Sequence, residues 1–378
     1  MKKNNSLTPI LGTFIISAAL IGYLALGGML TGHAVYRAVF DTPEGYGCSS
    51  WIALGGLATA HNKPILHKNR DENAFKLNNQ IVQEVNGLDH DGEFTYLAVT
   101  NNSSNSSGLK VYAGVNENGV AVASNFVAGT SWSGVYTGPT ASREILENSH
   151  TVEAAYDWIL ANRMKFQNGN IFLIAGLDDH GNQKGYVVEV KQSYNWLGFP
   201  NGIRITSRIQ SQVLPGTPAN DASPYETAIE IPAGVRFRSN HYKMFGNVWW
   251  AGAKSPNSVG RYNHMLSQLT SNETGFYGEI DVHDSNELSS SHDSPTSPAI
   301  CRHSATGVRT LAGVTIEIDP DEPINSDLYF AHGYPCENPY LSFSFSEATD
   351  QKLDPSISDT TPTGKFQFER SGSMPVGR

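Results

Sequence analysis

Strand-like and helical apolar patterns follow one another along the chain in an order that limits the folds open to it. In chain order they are strand-like at 94–100, 109–115 and 119–126, helical at 142–149 and 151–164, and strand-like again at 170–177 and 184–191. Several strands therefore precede a pair of helices, and strict alternation of one strand with one helix is absent. This order favours an α+β fold in which helices cover antiparallel sheets. Because the chain also has no glycine-rich phosphate-binding motif, a dinucleotide-binding fold is not expected.

Turn residues and later patterns complete this prediction. The apolar runs on either side of His61–Pro64 are typical of a β-hairpin, and Asn116–Gly119 predicts a turn between two strands. The segment 258–271 has helical spacing, whereas 282–299 is polar and is predicted to be a loop. Two late strand-like runs follow, at 309–318 and 326–333.

The N-terminal segment has the pattern of an export or anchor sequence. Leu7–Leu30 contains 24 residues without a charge and follows Lys2 and Lys3. About 20 apolar residues span a bilayer as a helix, so this segment is predicted to be a transmembrane signal anchor. The two lysines favour an N-terminus inside the cell and an extracytoplasmic location for the rest of the chain. A cleaved signal peptide is the alternative, although its apolar core is usually only about 7–15 residues long.

Charge and residue spacing limit the partners of the chain. It contains 26 Lys+Arg and 36 Asp+Glu, which gives a formal net charge of −10. An acidic chain repels phosphate backbones, so nucleic acid is not expected as a partner. No His, Cys and Asp residues show metal-ligand spacing along the sequence, and we predict neither a metal nor another cofactor.

Three cysteines, Cys48, Cys301 and Cys336, are present. An odd number outside the cytosol is compatible with one disulfide and one free thiol. Since Cys301 and Cys336 lie in the same C-terminal region, the simplest division is a disulfide between them and a reactive Cys48. Three reduced, buried thiols are the alternative.

Several short motifs occur in a recognisable series. Gly47 precedes the segment Cys48–Asp71, and VNENGVAVASN, RSNHY, SVGR, ICRH and GYPC follow in that order. The series resembles the cysteine N-terminal-nucleophile (Ntn) hydrolases over most of residues 47–346. It is most similar to the acyl-coenzyme A:6-aminopenicillanic acid acyltransferase family, also called the isopenicillin-N acyltransferase family. Penicillin V acylases and bile salt hydrolases are more distantly similar.

This resemblance implies a fold and a maturation step. The implied fold is an αββα sandwich of antiparallel sheets, here preceded by one N-terminal transmembrane helix. In such enzymes the nucleophilic cysteine is the first residue of the mature chain, and its own α-amino group takes the thiol proton. Self-cleavage between Gly47 and Cys48 is therefore implied. The implied organisation is a stub, anchor and propeptide at 1–47, a catalytic domain at 48–347 and a polar tail at 348–378.

The resemblance also implies roles for individual side chains besides Cys48. Asp71 corresponds to an aspartate that holds the cysteine amine and thiol in position. Asn125 corresponds to an oxyanion donor, and Asn240 to an asparagine that orients nucleophile and substrate. Arg261 corresponds to an arginine beside the sulfur, where a cation lowers a thiol pKa.

For the basic side chains near these motifs, the resemblance implies no catalytic role. Lys68 stands where bile salt hydrolases carry an arginine, and it cannot make the same bidentate contacts. Alternation along a strand predicts that Arg70 points away from Asp71. His241 and His303 are candidates for a cysteine–histidine pair, but a structural role is expected for both.

The expected activity is hydrolysis or acyl transfer at a linear amide through a Cys48 acyl-enzyme. The substrate would be a small-molecule or peptide amide, and the acceptor either water or an amine. A cysteine Ntn dipeptidase is an alternative, although the later NHY, GR and GYPC motifs fit it less well. A non-catalytic, membrane-tethered binding protein on the same scaffold is a second alternative.

Overall fold

The computed structural model of the chain describes residues 47–73, 80–90, 92–101, 108–127, 134–195, 204–214, 219–220, 230–245, 255–292, 299–303 and 307–345. The predicted anchor Leu7–Leu30 and the predicted tail 348–378 lie outside these residues. Within the described part of the chain, no helix is both long enough and apolar enough to cross a membrane.

Strands are the most frequent regular elements among the described residues. In chain order they are β1 (Gly47–Ala53), β2 (Ile65–Asn73), β3 (Ile81–Val85), β4 (Tyr96–Thr100), β5 (Val111–Asn116), β6 (Ala121–Val127), β7 (Gly169–Leu177), β8 (Gln183–Asn195), β9 (Arg204–Leu214), β10 (Ala219–Asn220), β11 (Glu230–Ile231), β12 (Val235–Arg238), β13 (Val308–Glu317), β14 (Asp327–His332) and β15 (Leu341–Phe343).

These strands form two large antiparallel sheets. The first has six strands in the order β12-β1-β2-β13-β14-β15, and the second has seven in the order β3-β4-β5-β6-β7-β8-β9. The short strands β10 and β11 pair only with each other. The second sheet follows chain order, and a tight turn at Asn116–Gly119 connects β5 to β6, where Gly119 adopts a positive φ of 77°. The first sheet joins the start and the end of the described chain.

In the part of the chain that the structure describes, four α-helices cover the sheets: α1 (Gly138–Asn148), α2 (Val152–Asn162), α3 (Pro256–Leu269) and α4 (Val282–Ser290). Helices α1 and α2 pack on the second sheet, through residues such as Ile145. Trp51 and Met265 belong to the core between the first sheet and α3. A third core fills the space between the sheets, where Ile52 and Leu173 are fully buried. The layers are therefore helix, sheet, sheet, helix, and the prediction of an α+β fold with helices on antiparallel sheets is confirmed.

The polar segment 282–299 is the clearest disagreement with the sequence prediction, since α4 occupies its first part. Asp281 caps the helix by accepting a hydrogen bond from the backbone of Asp284, whose side chain accepts one in return. The buried face of α4 uses two serines beside Val282 and Leu288. Apolar periodicity is consequently weak, and the loop prediction is wrong for the residues that form α4.

Candidate active site

Cys48 lies near the start of β1, between β2 and β12, and its side chain is buried. In the register with β2, Cys48 is opposite Arg70 and Ser50 is opposite Lys68. Directly paired residues of neighbouring strands share one face of a sheet, so these four side chains point the same way. Arg70 stacks on the ring of Tyr112 in β5, which shows that this face looks onto the second sheet. The candidate nucleophile therefore sits between the two sheets.

Gly47 precedes Cys48 where no side chain fits. A Cβ atom at this position would lie 2.5 Å from Asp71 Oδ2 and 2.5 Å from Arg302 Nη1. The close approach comes from the strand register, because Gly47 is directly opposite Asp71. The peptide bond between Gly47 and Cys48 is thus packed against a carboxylate and a guanidinium.

Asn240 holds the backbone of the candidate nucleophile. Its Oδ1 accepts a hydrogen bond from the Cys48 backbone N–H at 2.5 Å. Its Nδ2 donates to the carbonyl oxygen of Phe126 in β6 at 2.7 Å, which fixes the orientation of the amide. The structure therefore brings Asn240 to Cys48, as the sequence predicts.

Arg261, in the second turn of α3, reaches the same two residues. Its Nη2 donates to Asn240 Oδ1 at 2.8 Å, and its Nη1 donates to Ser49 Oγ at 2.9 Å and to the Cys48 carbonyl oxygen. The side chain is 1% exposed. Burial lowers the pKa of Arg261 to about 10, while the negative charge of Asp71 opposes this shift. Arg261 is accordingly protonated at neutral pH and supplies a fixed cation beside Cys48.

Lys68 is a site residue to which sequence reasoning gave no function. Its buried ammonium donates to the Ser124 carbonyl oxygen at 2.6 Å and to Asn125 Oδ1 at 3.1 Å. Burial lowers the pKa of Lys68, whereas a hydrogen bond to the Cys48 side chain and its charge raise it. The hairpin register contained the signal that was missed, because it sets Lys68 on the same face of the sheet as Cys48.

Asn125 does not have the geometry expected of an oxyanion donor. Its Oδ1 accepts from Ser50 Oγ at 2.8 Å as well as from Lys68. Its Nδ2 donates to the carbonyl oxygens of Arg238 and Ser239, at 3.1 and 3.3 Å. The amide hydrogens therefore point at β12 and not at Cys48. In this uncleaved chain Asn125 connects the two sheets and orients Lys68.

Asp71 lies on the opposite face of β2 from the Cys48 thiol, so the predicted contact with that thiol is absent here. Its Oδ1 accepts from Thr310 Oγ1 at 2.8 Å, and its Oδ2 is 3.8 Å from Arg302 Nη1. Burial raises the pKa of Asp71, and the charges of Arg302 and Arg261 oppose the shift. Among the described residues Asp71 Oδ2 accepts no hydrogen bond. Its position beside Gly47 makes it a neighbour of the peptide bond rather than of the sulfur.

A buried ion pair positions the loop that carries Asn240. Arg238 Nε donates to Glu189 Oε1 at 3.1 Å, and both side chains are fully buried. The same carboxylate accepts the backbone N–H groups of Lys243 and Met244, at 2.8 and 2.9 Å. Glu189, on β8, thus holds both ends of the segment on either side of Asn240. Sequence reasoning missed it because its partners lie about fifty residues away.

His241, Cys301 and Cys336, the other residues singled out in the sequence, have partners other than Cys48. His241 Nδ1 lies 2.8 Å from Ser258 Oγ and 3.1 Å from Ser239 Oγ, as expected for a structural histidine. The Sγ atoms of Cys301 and Cys336 are 3.2 Å apart, and both residues are free cysteines. A disulfide has an S–S bond of about 2.05 Å. The predicted pair is therefore adjacent in space but is not bonded in this structure.

The structure brings together one group of possible metal ligands that spacing along the sequence does not reveal. His292, Cys301, His303 and Cys336 come from three separate stretches of sequence, yet their ligand atoms all lie within 4.8 Å of one another. Spacing along the chain could not reveal this group, since the return of β14 to the first sheet brings Cys336 to the other three.

Comparisons with known proteins give a limited result. No protein-family model matches the chain, and no curated protein matches it. Two solved structures that it resembles are variants of conjugated bile acid hydrolase from Clostridium perfringens. For the first, the TM-score is 0.38 and the sequence identity 12%, and the match includes 79% of this chain and 97% of the hydrolase chain. The second has a TM-score of 0.38 at 10% identity and covers 78% of this chain and 96% of its own. These values are too low to assign a family, so the functional conclusion rests on the site.

Proposed function

We propose that the protein is a cysteine-dependent amidohydrolase of the Ntn type, made as a precursor and activated by cleavage between Gly47 and Cys48. The main support is the way in which two distant side chains converge on the backbone of one residue, Cys48. Asn240 accepts from the Cys48 N–H, and Arg261 donates to the Cys48 carbonyl oxygen. Pairing of β1 with β12 begins only at Ser50, so side chains and not a neighbouring strand satisfy these two backbone groups of Cys48.

The proposed maturation begins at the Cys48 sulfur. The thiolate attacks the carbonyl carbon of Gly47, the C–N bond breaks, and the Cys48 nitrogen takes a proton and leaves as an α-amine. Water then hydrolyses the thioester between Gly47 and the sulfur, which frees both chains. The positive charges of Lys68 and Arg261 interact with Cys48 and stabilise the negative charge that develops during the attack.

Catalysis on a substrate would use the same atoms. Once Cys48 is N-terminal, its α-amine has an ordinary pKa of about 7.7–8.0 and can take the thiol proton. The sulfur attacks the amide carbonyl, and the amine part of the substrate leaves with that proton. Water resolves the acyl-enzyme in a hydrolase, and a second amine resolves it in an acyltransferase. Both outcomes fit a small-molecule or peptide amide, and hydrolysis is the simpler proposal.

The location of the enzyme follows from the predicted anchor. We propose that the catalytic chain is extracytoplasmic and is tethered through Leu7–Leu30 until the Gly47–Cys48 bond breaks. Cleavage would then separate the catalytic chain from the membrane segment covalently. Mature enzyme that still requires detergent for extraction would contradict release.

The decisive experiment is an intact-mass measurement on the full chain, purified in detergent, beside a Cys48→Ala variant. The wild-type sample should contain a chain that begins at Cys48, and the variant should remain whole. Circular dichroism on both samples confirms that they are folded. A folded wild-type chain that stays uncleaved would refute self-processing and favour the binding-protein alternative.

A further inference from the structure

A second group of reactive side chains lies apart from Cys48. His292 follows α4, Cys301 and His303 precede β13, and Cys336 lies in the turn after β14. His303 Nε2 is 3.0 Å from Cys336 Sγ and 3.6 Å from Cys301 Sγ, and the two sulfurs are 3.2 Å apart. The ring of His292 lies 4.8 Å from that of His303. Two sulfurs and two imidazoles therefore converge on one point.

The separations are close to those of a tetrahedral metal site. With Zn–S bonds of about 2.3 Å and Zn–N bonds of about 2.0–2.1 Å, ligand atoms lie about 3.3–3.8 Å from one another. The Cys301–His303 separation already falls in this range. The separations of Cys336 Sγ from His303 Nε2 and from Cys301 Sγ need to open by about 0.5 Å, which rotation of the exposed side chains allows. A disulfide would use only the two sulfurs and would leave the convergence of His303 unexplained.

The surroundings of His303 resemble the support that metal-bound histidines receive. Its Nδ1 lies 3.5 Å from Glu337 Oε1, so Nε2 is the nitrogen that faces the sulfurs. Its ring stacks on Tyr334, with centroids 3.9 Å apart and planes 17° from parallel. A carboxylate on the far nitrogen fixes the tautomer and the ring orientation of a ligating histidine.

We propose that His292, Cys301, His303 and Cys336 bind a structural zinc ion. Two thiolates and two imidazoles are the donor set that zinc prefers in closed, four-coordinate sites. Cys301 is fully buried, whereas His292 and His303 are exposed, which gives the metal a route of entry. The ion would tie the segment after α4 to the turn after β14.

The test uses the full chain, expressed with added zinc, purified under reducing conditions and analysed for metal content. The wild type should retain about one zinc per chain. Cys336→Ser and His303→Ala should lose it, and His283→Ala, which removes an exposed histidine of α4 outside the group, should not. The Cys48→Ala chain should also retain zinc, so the result does not depend on self-cleavage.

Replacement of zinc by Co²⁺ tests the ligands directly. The wild type should show thiolate-to-cobalt charge-transfer absorption, and Cys336→Ser should reduce it. Wild-type protein that retains no zinc would overturn the proposal. A mass lower by two hydrogens, with Cys301 and Cys336 unreactive to thiol reagents, would overturn it in favour of the disulfide.

Discussion

Lys68 is the residue whose function the structure changes most. Its ammonium donates to Ser124 and Asn125, and its charge interacts with the Cys48 side chain. The sequence gives Lys68 no role, because bile salt hydrolases carry an arginine at this position and a lysine cannot make the bidentate contacts of an arginine. The geometry requires only a point charge, and a lysine supplies one.

We expect Lys68→Met to slow self-cleavage about tenfold or more, because it removes the buried ammonium whose charge interacts with the Cys48 side chain and stabilises negative charge that develops there. Lys68→Arg keeps the charge and should retain more of the rate. The cleaved fraction is measured by mass spectrometry over time. A Lys68→Arg chain that cleaves as slowly as Lys68→Met would show that Lys68 acts only through packing.

The other site residues differ in how much of their environment a short sequence motif can predict. Motifs select Cys48, Asn240 and Arg261, and the structure brings these three residues into contact. Asn125 was also placed in a motif, but its amide is occupied by two carbonyl groups of β12 and its neighbour. A motif gives a position and not the direction of a side chain, because that direction is set by strands far away in sequence.

At the scale of elements, the buried pair between β8 and β12 controls the segment that carries Asn240. Glu189 neutralises Arg238 and accepts two backbone N–H groups beyond Asn240. Breaking a buried pair on one side leaves an uncompensated charge in the interior. The position of Asn240 is therefore coupled to the stability of this ion pair.

Glu189→Gln should destabilise the protein by about 3–5 kcal/mol and reduce self-cleavage, because it leaves the Arg238 charge buried without its partner. Glu153→Gln is the matched control, since it removes a half-exposed pair with Lys184 that is worth about 0–1 kcal/mol. Chemical denaturation gives both stabilities. Similar losses in the two variants would contradict the proposed coupling.

Elements with apolar periodicity were predicted well, and α4 was not. The predicted helices at 151–164 and 258–271 correspond to α2 and α3, and the strands on both sides of α1 and α2 are present. In α4 the buried face includes Ser285, which accepts from Trp51 Nε1 at 3.2 Å, and Ser289. Serines that satisfy buried donors give no apolar pattern, so periodicity alone could not find this helix.

At the scale of the whole molecule, the proposed cleavage falls at the edge of β1 and leaves the sheet intact. Cys48 to Ala53 stay paired with β2, and Ser50 to Ala53 stay paired with β12. The αββα layers and their three cores do not depend on residue 47. Breaking this one peptide bond therefore removes little of the packing.

We expect mature wild-type protein and uncleaved Cys48→Ala to melt within about 4 °C of each other, which for a chain of this size corresponds to about 3 kcal/mol. Differential scanning calorimetry of the two purified forms measures this. A mature form that melts far below the variant would mean that residues before Cys48 stabilise the fold.

The convergence on Cys48 has a consequence for when the protein becomes active. Its backbone partners, Asn240 and Arg261, lie 192 and 213 residues further along the chain. A ribosome must therefore have made most of the polypeptide, and the two sheets must have assembled, before these contacts exist. Truncated or misfolded products lack them and would keep the nucleophile blocked. Under the proposed mechanism, the bond is therefore cleaved only after synthesis and folding are complete, and this activation happens once in each molecule.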